Sequence, residues 1–485
     1  MNQLFHEVRY SLRQMRRNPT FTTVAILTLA LGIGGNTAIF SVVEAVLLRP
    51  LPGIQEPWRL ASLYRMQKND EYASMGYPDY ADFRDRNTAF SGLAAFAPVS
   101  LSVSGATPER MIGSAVTGNY FSVLGVQPAL GRLILPADDT ERNANPVAVL
   151  SYGLWTRKFG ADAGAVGNTI VLNGYPFTII GVAPRAFGGT LAGHPMQVWL
   201  PMSMLDEAMP GSVGRHYCDE RAWGWLRVFG RLKPGVRSEQ AEAEMKGIAT
   251  QLALAHPNTN AERTVAVTQG VGIEPDDRAS LSGFLGLLFP GVGLLLLIAC
   301  ANVAGMMLVR ATGRQREIAV RLALGASRAR LARQLLTESL FLSLPGELLG
   351  LAIAPWALRL VVGLDQPAFI IREADLSPDA RVLGFTLLAS LLTGILAALA
   401  PALRSPSADL TNSLKQGAPG SGRMRSRLQS LLVVGQVALS FVLVMAAGLL
   451  GRSMRKILTA DPGFKTKNVF LARVDLTEQR YSNLT

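Results

Sequence analysis

Residues 16–43 read RRNPTFTTVAILTLALGIGGNTAIFSVV, two arginines and then a run from Thr20 to Val43 with no charge at all. A helix rises 1.5 Å per residue, so about 20 apolar residues cross the hydrocarbon of a bilayer. This run is long enough to cross. Working outward, three further charge-free windows follow, Ala279–Val309, Val382–Leu403 and Leu428–Gly451, and a fourth, Ser339–Leu358, is interrupted only by Glu347. The chain therefore reads as an α-helical membrane protein with five spans, placed at 19–48, 284–309, 335–361, 381–403 and 429–452. The composition agrees. Only 17% of the 485 residues are charged, against about a quarter in soluble domains, and the mean hydropathy is +0.25.

The arginines orient the spans. Residues 1–18, 310–333 and 404–428 carry net charges of +3, +6 and +4, so three short segments hold slightly more than the whole chain's +12. With five spans and an inside N-terminus all three fall on one side, as the positive-inside rule requires. The basic balance is thus a topology signal, and a nucleic-acid partner is excluded because no basic groove with stacking aromatics accompanies it. Leu4, Phe5, Val8, Leu12 and Met15 recur at helical spacing among the first arginines, which predicts an amphipathic helix over 1–18 lying in the lipid interface. The run after Arg17 exceeds a signal-peptide core and no small-x-small cleavage site follows, so it is expected to remain as an anchor.

Between the first two spans lies an insertion of about 235 residues, 49–283, expected outside the cytoplasm. Arg59–Met66, Pro108–Thr117, Val147–Leu150, Thr169–Val182 and Trp223–Leu232 read as strands, the fourth a hairpin turning at Asn173 and Gly174. Tyr77–Arg86, Tyr152–Phe159 and Ser238–Ala255 read as helices, the last with Ser238 as N-cap. This predicts a mixed α/β class with two subdomains. The stretch from His216 to Glu220 packs four potential metal ligands together, but adjacent side chains cannot converge on one ion and no spaced partner follows. Neither a nucleophile elbow nor a phosphate-cradling G-x-x-x-x-G-K-[ST] occurs. The chain is not read as an enzyme: it is expected to bind no cofactor directly, and any ATP would be used by another chain.

Several stretches carry a resemblance. Leu29–Phe40 (LALGIGGNTAIF) and Leu47–Pro52 (LLRPLP) resemble the first span of MacB-like permeases. Gly118–Phe121 (GNYF), Leu124–Arg132 (LGVQPALGR), Leu172–Gly174 and Ile180–Pro184 (IGVAP) look like the MacB-type periplasmic core domain, placed here at 49–283. Leu297–Val303 (LIACANV) and Arg316–Arg328 (REIAVRLALGASR) look like the FtsX-like permease domain, placed at 284–403 with a cytoplasmic coupling segment at 310–334 and an outer loop at 362–380. The chain also resembles one copy, plus the start of a second, of the duplicated permeases of acidobacteria. The span at 429–452 and the segment 453–485 would open the second repeat, with 404–428 as the cytoplasmic linker, and the sequence reads as a truncated product.

The resemblance implies an ABC transporter permease of the bacterial inner membrane. In that family cytoplasmic ATP hydrolysis moves periplasmic domains, a mechanotransmission mechanism serving efflux or export. The implied partners are an ABC ATPase subunit and a second permease module, from a homodimer or the missing repeat. A periplasmic adaptor, an outer-membrane channel and membrane lipids complete the set. The alternative class is a membrane-anchored extracytoplasmic sensor or binding module without transport.

Two groups of residues are singled out. Gly325, Ala326 and Ser327 offer a helix stop and a new N-cap before a short helix, Arg328–Leu336. By spacing alone this is a coupling element or a topology loop. The resemblance makes Glu317, Arg321, Gly325, Ala326, Ser327 and Arg328 the surface that receives the ATPase. Within the spans, Asn36 and Asn302 suit interhelical hydrogen bonds, and Glu347 is a costly carboxylate that either has a functional role, paired or facing a cavity, or protonates at a helix–helix contact.

Overall fold

The computed structural model describes residues 9, 13–44, 51–67, 72–104, 109–192, 194–209, 218–313, 328–362, 380–402 and 422–458. The chain divides into an α/β unit, Arg49–Ser280, and a helical unit built from the segments on either side.

In the α/β unit eleven strands form one sheet. They are β1 (Leu60–Met66), β2 (Tyr72–Ala73), β3 (Phe90–Val103), β4 (Glu109–Val116), β5 (Leu130–Gly131), β6 (Val147–Leu150), β7 (Thr169–Leu172), β8 (Tyr175–Val182), β9 (Val198–Pro201), β10 (Arg227–Leu232) and β11 (Thr264–Gln269). The 14-residue β3 organises it. Phe96 pairs with Arg227 of β10 and with Val116 of β4, so those strands occupy opposite edges. Val103 pairs with Glu109 of β4 and with Leu172 of β7, so β7 takes over the edge that β10 has left. The pairings β3–β4–β9–β6–β8–β7–β3 then close a six-stranded ring. The first half of β3 belongs instead to an open wing, ordered β11–β1–β10–β3. The two subdomains suggested by length therefore share a strand.

Burial along β3 follows this division. Leu93 to Ala97 are buried without alternation, because α2 (Tyr77–Arg86) lies on one side and α3 (Tyr120–Leu124) on the other. Beyond Pro98 the pattern alternates, with Val99, Leu101 and Val103 buried and Pro98 and Ser100 exposed. The helices also include α4 (Tyr152–Phe159), α5 (Leu205–Ala208), α6 (Ser238–Ala255) and α7 (Pro257–Asn260). One aliphatic core runs from the ring to α6 through Leu101, Leu172, Phe177, Leu226 and Met245. An aromatic core joins Phe96, Tyr120, Phe121, Phe187, Trp199 and Phe229.

The expected hairpin is present: Asn173 and Gly174 have φ of 49° and 83°, the left-handed pair that a two-residue turn between twisted strands demands. The helix expected at Ser238 starts there, but its N-cap is Arg237, whose N–H donates to Gln240 Oε1 at 3.0 Å. The strand expected from Trp223 begins at Arg227, since Leu226 makes only an isolated bridge to Met75.

The helical unit holds α1 (Pro19–Val43), α8 (Pro275–Gly313), α9 (Arg328–Val362), α10 (Ala380–Ala402) and α11 (Gly422–Leu458). Among the described residues four helical stretches are long and apolar enough to cross a membrane, Pro19–Val43, Pro275–Met307, Leu336–Trp356 and Val433–Ser453, and Ala380–Ile395 is a shorter apolar one. Of the interfacial helix expected over 1–18, Arg9 and residues 13–17 are described and are helical.

Candidate functional site in the helical unit

The site begins with glycine. A Cβ built on Gly34 of α1 would lie 3.0 Å from the Gly350 carbonyl oxygen of α9, and one on Gly350 would lie 3.0 Å from Gly34 N. One turn earlier, a Cβ on Gly346 would meet Leu29 Cβ at 2.9 Å. Ala30 and Gly34 on one helix thus face Gly346 and Gly350 on the other, the small-xxx-small arrangement that lets two backbones touch. The contacts rise together in residue number, so α1 and α9 are parallel. Apolar packing extends the contact through Ala25, Leu29, Ile33 and Leu342, with Val303 and Met307 of α8.

Polar side chains follow the same seam. Asn36 Nδ2 donates to Gly32 O at 2.8 Å within α1 and to Val292 O at 2.9 Å on α8. The second of these bonds joins α1 to α8. Thr37 Oγ1 donates back to Ile33 O at 2.8 Å and lies 3.4 Å from Thr386 Oγ1 of α10. Next to them Phe40 and Phe385 stack with centroids 4.0 Å apart. On α9, Ser339 Oγ contacts Met307 Sδ at 3.1 Å.

Glu347 is 8% exposed, on the α9 face that carries Gly346 and Gly350, and has no ion-pair or hydrogen-bond partner among the described residues. A Cβ on Gly394 of α10 would fall 3.3 Å from Ser343 Oγ. Since α9 and α10 are antiparallel, Ser390, one turn before Gly394 and buried, stands level with Glu347. Asn302 is half-buried on α8 and makes no hydrogen bond to this seam among the described residues. Sequence reasoning missed Thr37, Ser41, Ser343, Thr386, Ser390 and Thr393, all buried. Serines and threonines within apolar runs give no charge signal, and only partner helices make them buried.

The coupling surface is largely beyond description: Glu317, Arg321, Gly325, Ala326 and Ser327 lie outside the described residues. Arg328 is the first residue of α9. The short helix expected over Arg328–Leu336 is not separate, because α9 continues for 35 residues to Val362. Leu, Ala, Arg and Gln are strong helix formers, and no glycine or proline intervenes before Pro345 to end it. Pro345 and Pro355 both stand inside the helix.

In the α/β unit, the loop that raised the question of a metal is accounted for otherwise. Asp219 pairs with Arg142 at 3.2 Å, and burial pushes the Cys218 thiol up to about 11. His216 lies outside the described residues, among which no group of three or more His, Cys, Asp or Glu could hold a metal.

Known proteins match both units. Residues 22–248 match the MacB-like periplasmic core domain and residues 291–408 the FtsX-like permease C-terminal domain. The macrolide export ATP-binding/permease protein MacB of Salmonella paratyphi A is 26% identical over 310 residues, covering 62% of this chain and 43% of the relative. The probable export ATP-binding/permease protein MacB of Pseudomonas entomophila is 26% identical over 243 residues, 50% of this chain and 33% of the relative. The chain thus spans less than half the length of these relatives. The periplasmic region of MacB from Actinobacillus actinomycetemcomitans aligns with 48% of this chain and 94% of that one, at 16% identity and a TM-score of 0.34.

Proposed function

We propose that this chain, whose two matched domains are those of MacB-like and FtsX-like permeases, is an ABC transporter permease that works by mechanotransmission. A separate cytoplasmic ATPase drives motion of the periplasmic domain, in the service of efflux or export. The observation that supports this reading is the backbone contact between α1 and α9 at Gly34 and Gly350. In the chain, α9 follows the arginine-rich segment 310–334, and α1 precedes the α/β unit. Helices packed backbone to backbone move as one body, because close-packed interiors transmit displacement and do not absorb it.

In this reading five spans place 49–283 in the periplasm and 1–18, 310–334 and 404–428 in the cytoplasm of a bacterium with an inner membrane. Glu317, Arg321, Gly325, Ala326, Ser327 and Arg328 receive the ATPase, which alone binds ATP. A second permease module completes the assembly, from another copy or from a second repeat, and a periplasmic adaptor and outer-membrane channel extend it.

The test is reconstitution in nanodiscs with a co-purifying ATPase. Gly350→Leu should leave ATPase binding intact while abolishing coupling to labels in the α/β unit. Arg328→Glu should weaken ATPase binding by about 1–3 kcal/mol. Wild-type coupling in Gly350→Leu, or failure of any ATPase to bind the wild type, sinks the reading.

A further inference from the structure

Arg65 and Arg263 lie side by side at the end of the open wing. Strand β1 pairs Arg65 with Val265 of β11, and Arg263, two residues before Val265, shares that face. Arg65 Nη1 and Arg263 Nη2 both donate to Ala222 O, each at 3.3 Å, and Arg263 Nη1 donates to Arg221 O at 3.3 Å. Backbone carbonyls are thus their hydrogen-bond partners, and neither has a carboxylate among the described residues. The nearby carboxylates are engaged elsewhere: Arg221 takes Asp79 at 2.5 Å and Asp82 at 2.7 Å. Burial, and then the neighbouring Arg263, hold the Arg65 guanidinium below its ordinary value.

Two orphaned atoms accompany the pair. Arg65 Nε is buried without a hydrogen-bond partner. Asn260, 5% exposed, donates from Nδ2 to Asp79 at 2.9 Å while its Oδ1 is buried and unpartnered. Beside them opens a groove of about 480 Å³, lined by Gln67, Asn258, Thr259, Glu262 and Arg263. Arg263 lines this groove and Arg65 adds a second positive charge next to it, so the concave polar surface is the complement of a planar or tetrahedral oxyanion.

We propose that Arg263, with the neighbouring charge of Arg65, binds the carboxylate or phosphate group of a small polar ligand in this groove. The oxyanion accepts from the Arg263 guanidinium and offsets the repulsion between Arg263 and Arg65, while Gln67, Asn258 and Thr259 offer hydrogen bonds to the rest of the ligand. Glu262 on the groove wall opposes any anion and limits affinity. The site is independent of ATPase coupling, since it needs nothing from the helical unit.

The experiment is titration calorimetry of the full chain in nanodiscs of zwitterionic lipid, with inorganic phosphate and succinate as separate probes. One or both should bind with a Kd at or below about 10 mM, and the stronger identifies the oxyanion. Arg65→Gln and Arg263→Gln should each weaken that binding about tenfold or more, Glu262→Gln should tighten it, and Arg157→Gln should leave it unchanged. Thermal melts separate loss of binding from loss of fold, and Arg65→Lys serves if the glutamine variant unfolds. No heat with either probe overturns the proposal. So does equal binding by the Arg65, Arg263 and Arg157 variants.

Discussion

Asn173 and Ser102 grip each other twice: Asn173 N donates to Ser102 O at 2.8 Å, and Ser102 N donates to Asn173 Oδ1 at 2.7 Å. The same side chain donates from Nδ2 to Ser100 O at 3.1 Å and to Ala208 O at 2.6 Å. A turn residue thereby acts as a segment of strand, sealing β7 to β3 where Val103 and Leu172 form the single strand pair.

Asn173→Ala removes these side-chain bonds and leaves buried backbone groups unmet, at a cost of about 1–3 kcal/mol. The φ of 49° adds strain for a residue with a Cβ and no local hydrogen bond. Asn173→Gly relieves the strain alone and should recover only part of the loss. Amide exchange at Ser102 and Ser104 should accelerate by about tenfold or more in the alanine variant. Unchanged exchange would show that the seam does not depend on this amide.

Gly34→Ala and Gly350→Ala should each destabilise the α1–α9 pair by about 1–3 kcal/mol, because the new methyl lies 3.0 Å from rigid backbone atoms. Gly435→Ala on α11, where a Cβ meets nothing within 4 Å, should be neutral or stabilising. Melting temperatures in one detergent compare the three. Equal melting would mean that the close approach is not limiting.

Asn36→Leu breaks the bond to Val292 O, and its cost should be modest, about 0.6–1.7 kcal/mol. Asn36→Gln moves the amide one bond further out and should not rescue it. Crosslinking of α1 to α8 through paired cysteines reports the change, and an undiminished yield would count against the bond.

Asp139 supplies a pH dependence. Its carboxylate accepts from Ser203 N at 2.7 Å and Gly118 N at 2.9 Å, yet burial raises its pKa above the ordinary 3.8. The folded state then binds its proton more tightly than the unfolded state. The contribution of this group to stability is greatest below 3.8 and declines as pH rises through the raised value. Thermal melts from pH 7 down to about 4 should show wild type gaining on Asp139→Asn as the medium acidifies. A difference independent of pH would refute the assignment.

The sequence was most legible where period and punctuation agree. The hairpin at Asn173 and Gly174, the helix after Pro234 and the apolar runs are of this kind. It was least legible at β3, whose FSGLAAFAPVSLSV contains glycine, small residues and a proline that argue against a strand. The structure explains the exception at Pro98. It falls between the pairing of Phe96 with β10 and that of Val103 with β7, where that edge of β3 has no partner strand. In the bundle, Asn36 and Glu347 stood out as polar groups in apolar runs. The hydroxyls beside them did not, because Thr37 and Thr386 satisfy their own helices through Ile33 O and Val382 O. Their burial is a property of three helices together.

The way the strands share β3 also fixes an order of assembly. Every member of the ring lies between Phe90 and Pro201, whereas the wing joins β1, begun at Leu60, to β11, which ends at Gln269. As the chain emerges, the ring can therefore close while β1 still waits for β10 and β11 to be made. Loop closure over so long a separation is slow and leaves strand edges bare in the meantime. In the interval when Pro201 has emerged and Arg227 has not, a finished ring stands beside an unfinished wing, and β1 is the strand most open to a wrong neighbour.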